Sequence, residues 1–185
     1  MTGLRADARR NRARLLEVAE TVFAARGPGV STEEIAREAG VGVGTLFRHF
    51  PTKEALLQAV YLGRLERLAE QAEALADSED PGAAFFGYFS TVVDQAEVKN
   101  SFVDALVEAG VDVHTASSET GDRLRTAMAV LLGRAQQAGA VRADLQVPEL
   151  VALLVGTSRA VEHVGGDHEV QHRLLTVVLD GLRPR

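Results

Sequence analysis

The chain has 185 residues, of which 46% are hydrophobic and 25% are charged, as is ordinary for a globular protein. It contains no cysteine, which excludes disulfides, cysteine-ligated zinc and thiol catalysis, and no apolar run approaches the ~20 residues of a membrane span. The net charge of −6 is unevenly distributed along the chain. Residues 1–53 carry nine basic and six acidic side chains, and the remaining residues carry eleven basic and twenty acidic ones. A basic first segment indicates either contact with a polyanion or a solvated charged face. No apolar signal-peptide centre is present in the first thirty residues, so we expect a cytoplasmic protein without a membrane partner.

Apolar residues recur every three or four positions along the chain, which predicts an all-α protein of about nine helices. The first helix is predicted from about Asp7 to Arg26, where the sequence Gly27-Pro28-Gly29 ends it. Ser31 followed by Glu34 is a capping-box pattern that opens the second helix. The second and third helices are predicted at about residues 32–39 and 43–50, and a long fourth helix, capped by Thr52, is predicted to extend to about residue 76.

The stretch from Asp77 to Gly82 is the clearest break in the helical pattern. Asp80 is placed to cap the helix that follows, with Pro81 in its first turn. The remaining helices are predicted at about residues 81–95, 98–109, 121–139, 148–165 and 167–182, with a looser segment at 111–120.

The second and third helices are short, are joined by a glycine-containing turn and follow a longer helix. This arrangement predicts a helix-turn-helix, whose second short helix enters the major groove of DNA. Val43, Leu46 and Phe50 are expected on its buried face, and Arg48 is the side chain best suited to bidentate contact with guanine. The residues expected to face outward are Gly44, Thr45, Phe47, Arg48 and His49. The same spacing also fits a generic helical hairpin, so spacing alone leaves both interpretations open.

The run from Gly40 to Leu56, GVGVGTLFRHFPTKEAL, closely resembles the signature of the tetracycline-repressor (TetR) family, and the match extends back through residues 31–36 to the first helix. The resemblance implies a homodimeric transcription factor, most often a repressor, that binds a double-stranded DNA operator and responds to a small-molecule effector. It implies a DNA-binding domain over residues 1–54 and a helical ligand-binding and dimerisation domain over residues 55–185, bridged by the fourth helix. We expect no enzymatic activity, no cofactor and no bound metal.

The resemblance also assigns contacts by position. The residues that match the phosphate-contacting set are Thr45, Phe47, His49 and Lys53. Those nearest the base edges are Val43, Gly44 and Arg48, and those beside the backbone and groove are Thr32 and Glu33. The family usually has tyrosine where this chain has Phe47, so one phosphate hydrogen bond, worth on the order of 1 kcal/mol, is replaced by van der Waals contact. An arm carrying Arg5, Arg9, Arg10 and Arg12 is expected to enter the adjacent minor groove or to remain solvated.

The fifth helix carries four of the nine aromatic residues of the chain, at positions 85, 86, 88 and 89. A ligand pocket is expected around these rings. The residues assigned to this pocket are Phe85, Phe86, Phe89, Phe102, Leu106 and Met128. Plain core packing explains the same residues equally well.

The last two helices are the expected dimer interface, which would form a four-helix bundle across a two-fold axis. The residues assigned to it are Leu150, Leu154, Ser158, Val161, Leu174, Val177 and Val178. Such symmetry predicts a palindromic operator. The alternative is that these side chains pack only inside one monomer.

Two further functions remain open at this point. One is a metal site, because His163, Asp167, His168 and His172 lie close together in the chain. A glycine pair interrupts the helical pattern between positions 163 and 168, which weakens that interpretation. The other is a helical scaffold that binds a protein and no DNA, for which replacing Arg48 by alanine would leave the function intact.

Overall fold

The computed structural model describes the backbone of residues 2–111 and 118–184, and within them the side chains of all but 2–6, 8, 96–99 and 118. These residues form nine helices and no strand, which confirms the all-α prediction. In chain order the helices are α1 (Thr2–Arg26), α2 (Thr32–Glu38), α3 (Val43–His49), α4 (Lys53–Leu75), α5 (Pro81–Asp94), α6 (Ala96–Glu108), α7 (Ser118–Gln137), α8 (Val147–Val164) and α9 (His168–Leu182). Within the described residues, none of the helices combines the length and the hydrophobicity that a membrane span requires.

Three helices begin two or more residues earlier than the sequence pattern predicts. α1 begins at Thr2 rather than at Asp7, because the intervening residues include good helix formers and no proline. α6 begins at Ala96 rather than at residue 98, so that Gln95 alone separates it from α5. α7 begins at Ser118 rather than at residue 121, so the last three residues of the looser segment predicted at 111–120 are helical, and residues 112–117 lie outside the described part of the chain.

Side chains cap the starts of several helices and satisfy backbone donors that lack a helical partner. The Ser31 hydroxyl accepts a hydrogen bond from the Glu34 N–H at 3.2 Å, at the start of α2. The Asp80 carboxylate accepts one from the Ala83 N–H at 2.9 Å, at the start of α5. The Thr52 hydroxyl accepts one from the Ala55 N–H at 3.1 Å, at the start of α4. The predicted caps at Ser31, Thr52 and Asp80 are therefore confirmed.

The chain divides into two compact units. Among the described residues, the first unit contains 2–63 and 101–111, and the second contains 64–100 and 118–184. α4 and α6 each contribute residues to both units. The sequence-based assignment placed every residue after 54 in the second domain, whereas here the first unit also includes 55–63 and 101–111.

The core of the first unit forms where α1 meets the two short helices. Leu15 and Phe23 of α1, Ile35 of α2 and Leu46 of α3 are at most 1% exposed. Phe102 of α6 packs edge-on against Phe23, with ring centroids 5.7 Å apart. Burying each large apolar side chain stabilises the fold by about 1.5–3 kcal/mol, so this core fixes α2 and α3 against α1.

The second unit is built on α5, which packs against both α7 and α8. Phe85 and Phe89 of α5, Met128 of α7 and Leu154 of α8 are buried together in one apolar cluster. Tyr88 is also buried, and its hydroxyl donates a hydrogen bond to the Leu68 carbonyl at 3.0 Å. Burial raises the pKa of the Tyr88 phenol, so it stays neutral and serves as a donor.

Candidate nucleic-acid interface

The turn between α2 and α3 depends on a left-handed glycine. Gly40 has a φ of +69°, a conformation that side-chain-bearing residues rarely adopt. Its N–H donates to the Arg37 carbonyl at 3.1 Å, and the next residue, Val41, donates to the Ala36 carbonyl at 3.0 Å. These two bonds close the end of α2, so the direction in which α3 departs is set by the backbone.

α3 has a buried face and an exposed face. Leu46 is fully buried, and Phe50, which follows the last helical residue, is 3% exposed. Phe47 is 40% exposed, and Arg48 beside it is also exposed. Val43 was expected on the buried face, but it is 37% exposed because it occupies the first turn, next to the loop. The exposed face therefore carries an aromatic ring, a cation and an aliphatic side chain.

The other predicted contact residues on α3 differ in how far they reach solvent. Gly44 is exposed, and a β-carbon added there would meet no atom within 4 Å. Thr45 and His49 are half-buried, and the His49 ring lies 6.4 Å from the ring of Phe50. Val43, Gly44, Phe47 and Arg48 follow the spacing of a single helix face, so α3 presents them together.

Lys53 is the first residue of α4 and is half-buried. Its neighbour Glu54 accepts hydrogen bonds from its own backbone N–H and from the Thr52 side chain, and these bonds lower the pKa of the Glu54 carboxyl. Glu54 is therefore held as an anion, adjacent in the chain to the Lys53 cation.

The two predicted contact residues on α2 have different environments. Thr32 is 8% exposed, and its hydroxyl donates to the Glu33 carboxylate at 3.4 Å. Glu33 is exposed at the start of the helix. Of this pair, Glu33 is the one whose side chain lies at the surface of the first unit.

Arg26 ties the end of α1 to α2. Its guanidinium forms ion pairs with Glu34 and Glu38, which lie one turn apart on α2. The hydrogen bond to Glu38 is the largest contribution to the raised pKa of Arg26. Glu34 thus contributes its backbone N–H to the helix cap and its carboxylate to Arg26, which orients the helix-turn-helix on α1.

The arginines expected to form an arm lie within α1, which is helical from Thr2. The side chain of Arg5 lies outside the described part of the chain, whereas Arg9, Arg10 and Arg12 are described and exposed. Arg10 forms an ion pair with Asp7, one turn earlier. These residues are presented by a helix and not by an extended strand.

The residues assigned to the ligand pocket fall in two places. Phe85, Phe89 and Met128 line a cavity of about 10 Å³ in the second unit, which has room for about one water molecule. Phe86 is half-buried, and the guanidinium of Arg183 lies 4.6 Å from its ring centroid. The two remaining residues, Phe102 and Leu106, are core residues of the first unit.

The residues assigned to the dimer interface are also divided. Leu150, Leu154 and Ser158 lie inside the second unit, at 3%, 5% and 0% exposure. Val161, Leu174 and Val178 are half-buried, and Val177 is 72% exposed on α9. Sequence reasoning did not single out Leu153, which is 37% exposed on α8. Residues 152–155 are all apolar, so their pattern gave no signal for which of them faces outward.

The histidines near the end of the chain have other contacts. Asp167 caps α9 by accepting from the Val170 N–H at 3.1 Å, and His168 Nδ1 lies 3.2 Å from Gln171 Oε1. In the ranges that the structure describes, no three His, Cys, Asp or Glu side chains come together as metal ligands. His163 and His172 are exposed.

Two family models match the chain. A model described as bacterial regulatory proteins of the tetR family matches residues 15–60, which include α2 and α3. A model described as the C-terminal domain of SbtR-like transcriptional regulators matches residues 80–184. The second match covers more than half of the chain.

Similar proteins come from several bacteria. The solved structure of a TetR transcription regulatory protein from Mycobacterium vanbaalenii is 44% identical, with a TM-score of 0.77 over 98% of this chain and 99% of that one. An HTH-type transcriptional regulator of Staphylococcus aureus (strain USA300) is 30% identical over 108 residues, so the chain matches 58% of the length of that curated relative. The HTH-type transcriptional repressor KstR2 of Rhodococcus jostii (strain RHA1) is 28% identical over 92% of this chain and 90% of that protein. The chain belongs to the TetR family of bacterial DNA-binding transcriptional regulators.

Proposed function

We propose that the chain is a repressor that binds a palindromic operator as a homodimer and is released when a small molecule binds its second unit. The observation that carries the proposal is the division of α3 into two faces. Leu46 anchors the helix in the core, while Phe47 and Arg48 lie at the surface. A short helix held in this way fits the major groove, which is about 12 Å wide. The name of the Rhodococcus relative, a repressor, supports repression as the mode of action.

The proposed contacts follow from the chemistry of each side chain. Arg48 donates two parallel hydrogen bonds to O6 and N7 of a guanine, and Val43 packs against a thymine methyl group. Thr45, His49 and Lys53 donate to phosphate oxygens and set the position of the helix on the duplex. The Phe47 ring makes van der Waals contact with the backbone. Glu33 stands beside the groove and contributes no phosphate contact, because its carboxylate repels phosphate.

The homodimer is proposed on apolar surface that α8 and α9 leave exposed. Leu153 and Val155 of α8 are 37% and 50% exposed, and Val177 of α9 is 72% exposed. Leu153 and Val177 line an open groove of about 660 Å³. Exposed apolar side chains of this size on adjacent helices favour association with a second apolar surface. A two-fold axis through this face would place two copies of α3 on two half-sites of a palindrome.

The effector site is proposed in the core of the second unit, around Phe85, Phe89 and Met128. The cavity there, about 10 Å³, does not admit a metabolite, so the effector must bind an arrangement in which α5 has moved away from α7 and α8. Such a ligand shifts the population toward the open arrangement to the extent that it binds that arrangement more tightly. We propose that the open arrangement is the one with low affinity for the operator.

Selection of binding sites from a random double-stranded DNA library, at near-physiological salt, tests the proposal. We expect a palindrome whose half-sites lie one helical turn apart or a multiple of it, and a complex that contains at least two chains. If the folded chain enriches no sequence, the operator-binding proposal fails, and an asymmetric site occupied by a single chain would overturn the homodimer. If the chain were a scaffold that binds only protein, the selection would give the same result with and without the Arg48→Ala substitution.

A further inference from the structure

Two arginines of α1 reach the two ends of α3. Arg12 and Arg14 lie in the middle of α1, and both are exposed. Successive residues on a helix are 100° apart, so residues two apart point to different sides of α1. One of these side chains contacts the residue that follows α3, and the other contacts the turn that precedes it.

The first of these contacts is between a guanidinium and an aromatic ring. The guanidinium carbon of Arg12 lies 5.2 Å from the centroid of the Phe50 ring, within the range of a cation–π interaction. Phe50 itself is 3% exposed and closes α3, with its N–H donating to the Leu46 carbonyl at 2.8 Å. The ring therefore holds the Arg12 cation beside the end of the recognition helix.

The second contact is made at the turn. A β-carbon built on Gly40 would lie 3.5 Å from Nη2 of Arg14, so the guanidinium lies directly against the turn between α2 and α3. The guanidinium is planar and carries five N–H donors, and a flat contact on one side leaves donors available to another ligand.

Ion pairing separates these two arginines from others on the same helix. Arg10 pairs with Asp7, and Arg26 pairs with Glu34 and Glu38. In the described ranges, no ion pair is formed by Arg12 or by Arg14, although the chain as a whole carries a net charge of −6. Uncompensated cations held beside both ends of a DNA-reading helix are suited to a phosphate ligand.

We infer that Arg12 and Arg14 are phosphate-contacting residues, which bind the DNA backbone at the two ends of α3. The inference rests on the proposed placement of α3 in the major groove. Seven helical residues span about 10 Å, so when α3 lies in the groove a cation beside either end of it is within reach of the phosphates that border the groove. The arginines of α1 then act from a helix on the backbone, and not from an extended arm in the minor groove.

Salt dependence distinguishes this role from a purely structural one. Each phosphate contact adds about 0.9 to the slope of log K against log salt concentration, so each contact makes affinity fall roughly 3- to 4-fold more between 50 and 200 mM salt. We expect Arg12→Gln and Arg14→Gln each to reduce the slope by about one, with the same selected sequence as the unmodified chain. Arg12→Lys and Arg14→Lys should restore most of it. Arg10→Gln is the matched control, since the charge of Arg10 is already balanced by Asp7, and it should change the slope less.

A second measurement is made on the DNA, and it distinguishes the loss of one phosphate contact from the general loss of binding that a poorly folded variant would show. Single methylphosphonate groups, which are uncharged, are placed at each backbone position of the selected site. We expect backbone positions in the DNA at which neutralising the phosphate weakens binding of the unmodified chain but does not weaken binding of the Gln variants. It is overturned if both Gln variants keep the full slope, or if no position behaves in this way while the chain still binds its site. A chain that selects no DNA site would remove the proposed function together with this inference.

Discussion

Arg48 and Lys53 carry the same charge but offer DNA different contacts. Arg48 is exposed on α3, and its planar guanidinium matches the two acceptors of a guanine edge. Lys53 begins α4, beside the anionic Glu54, and its ammonium is a point charge on a flexible stem. The first residue is therefore expected to read sequence, and the second to contribute affinity without reading it.

Substituting each of these residues separates the two roles. We expect Arg48→Ala to weaken binding to the selected site by about 1–3 kcal/mol and to relax the preference at one base pair. Lys53→Ala should weaken binding to all sequences alike and lower the salt slope by about one. Fluorescence anisotropy with the selected site and a scrambled duplex, at several salt concentrations, measures both effects. Equal losses by the two variants on both duplexes would show that the roles are wrongly assigned.

At the scale of the helices, α5 contains two glycines with different surroundings. Gly82 packs closely against Ala140, and Gly87 is open to solvent. A β-carbon on Gly82 would lie 2.7 Å from the Ala140 β-carbon, whereas one on Gly87 would meet no atom within 4 Å. We expect Gly82→Ala to lower the free energy of unfolding by about 1–3 kcal/mol through overpacking. Gly87→Ala in the same helix should raise it by about 0.5–1 kcal/mol, because alanine favours the helix. Urea unfolding of both variants checks this, and shifts of the same sign would contradict the packing described here.

α7 is joined to α4 by a two-pronged ion pair. Arg123 Nε and Nη2 donate to the two Glu73 oxygens at 2.9 and 2.7 Å, and this hydrogen bonding lowers the pKa of Glu73. A carboxyl whose pKa is lowered in the folded state adds stability at neutral pH, and that stability is lost as the pH falls through the lowered value. Glu73→Gln should therefore reduce the urea midpoint at pH 7 and leave it nearly unchanged in acid. A midpoint that falls equally at both pH values would exclude the ion pair as the cause.

The starts of the helices could be predicted from the sequence, but the packing partners of their side chains could not. The caps at Ser31 and Asp80 depend on residues three positions apart, which a sequence pattern contains. The sequence analysis grouped Phe102 with the aromatic residues of α5, whereas its ring packs on Phe23, because that contact joins residues far apart in the chain. In α8 the apolar residues are consecutive, so burial of Leu154 and exposure of Leu153 were decided by packing against α5.

The proposed dimer is a property of the whole molecule and can be tested at one exposed residue. Val177 is 72% exposed on α9, so a charge there costs the monomer little, whereas burying the charge in an interface costs several kcal/mol. We expect Val177→Asp to weaken dimerisation by a factor of at least about 100 and to make operator binding depend steeply on protein concentration. Analytical ultracentrifugation gives the dissociation constant. Val130→Asp is the control, because Val130 is 47% exposed on α7, and a dimer equally stable in both variants would rule out the α8–α9 face.

We expect α3 to be the element that meets DNA, and the composition of the chain makes this directly measurable. The chain has no cysteine, so Val43→Cys on α3 and Val130→Cys on α7 each introduce a single thiol at an exposed valine. The measurement is the rate of thiol alkylation in each variant, with the selected duplex and with a scrambled one. We expect the selected duplex to slow the reaction at position 43 at least about tenfold and to leave position 130 unchanged, because a thiol inside the major groove is shielded by the bases and backbone. Equal rates at position 43 with and without bound operator would show that α3 does not enter the groove.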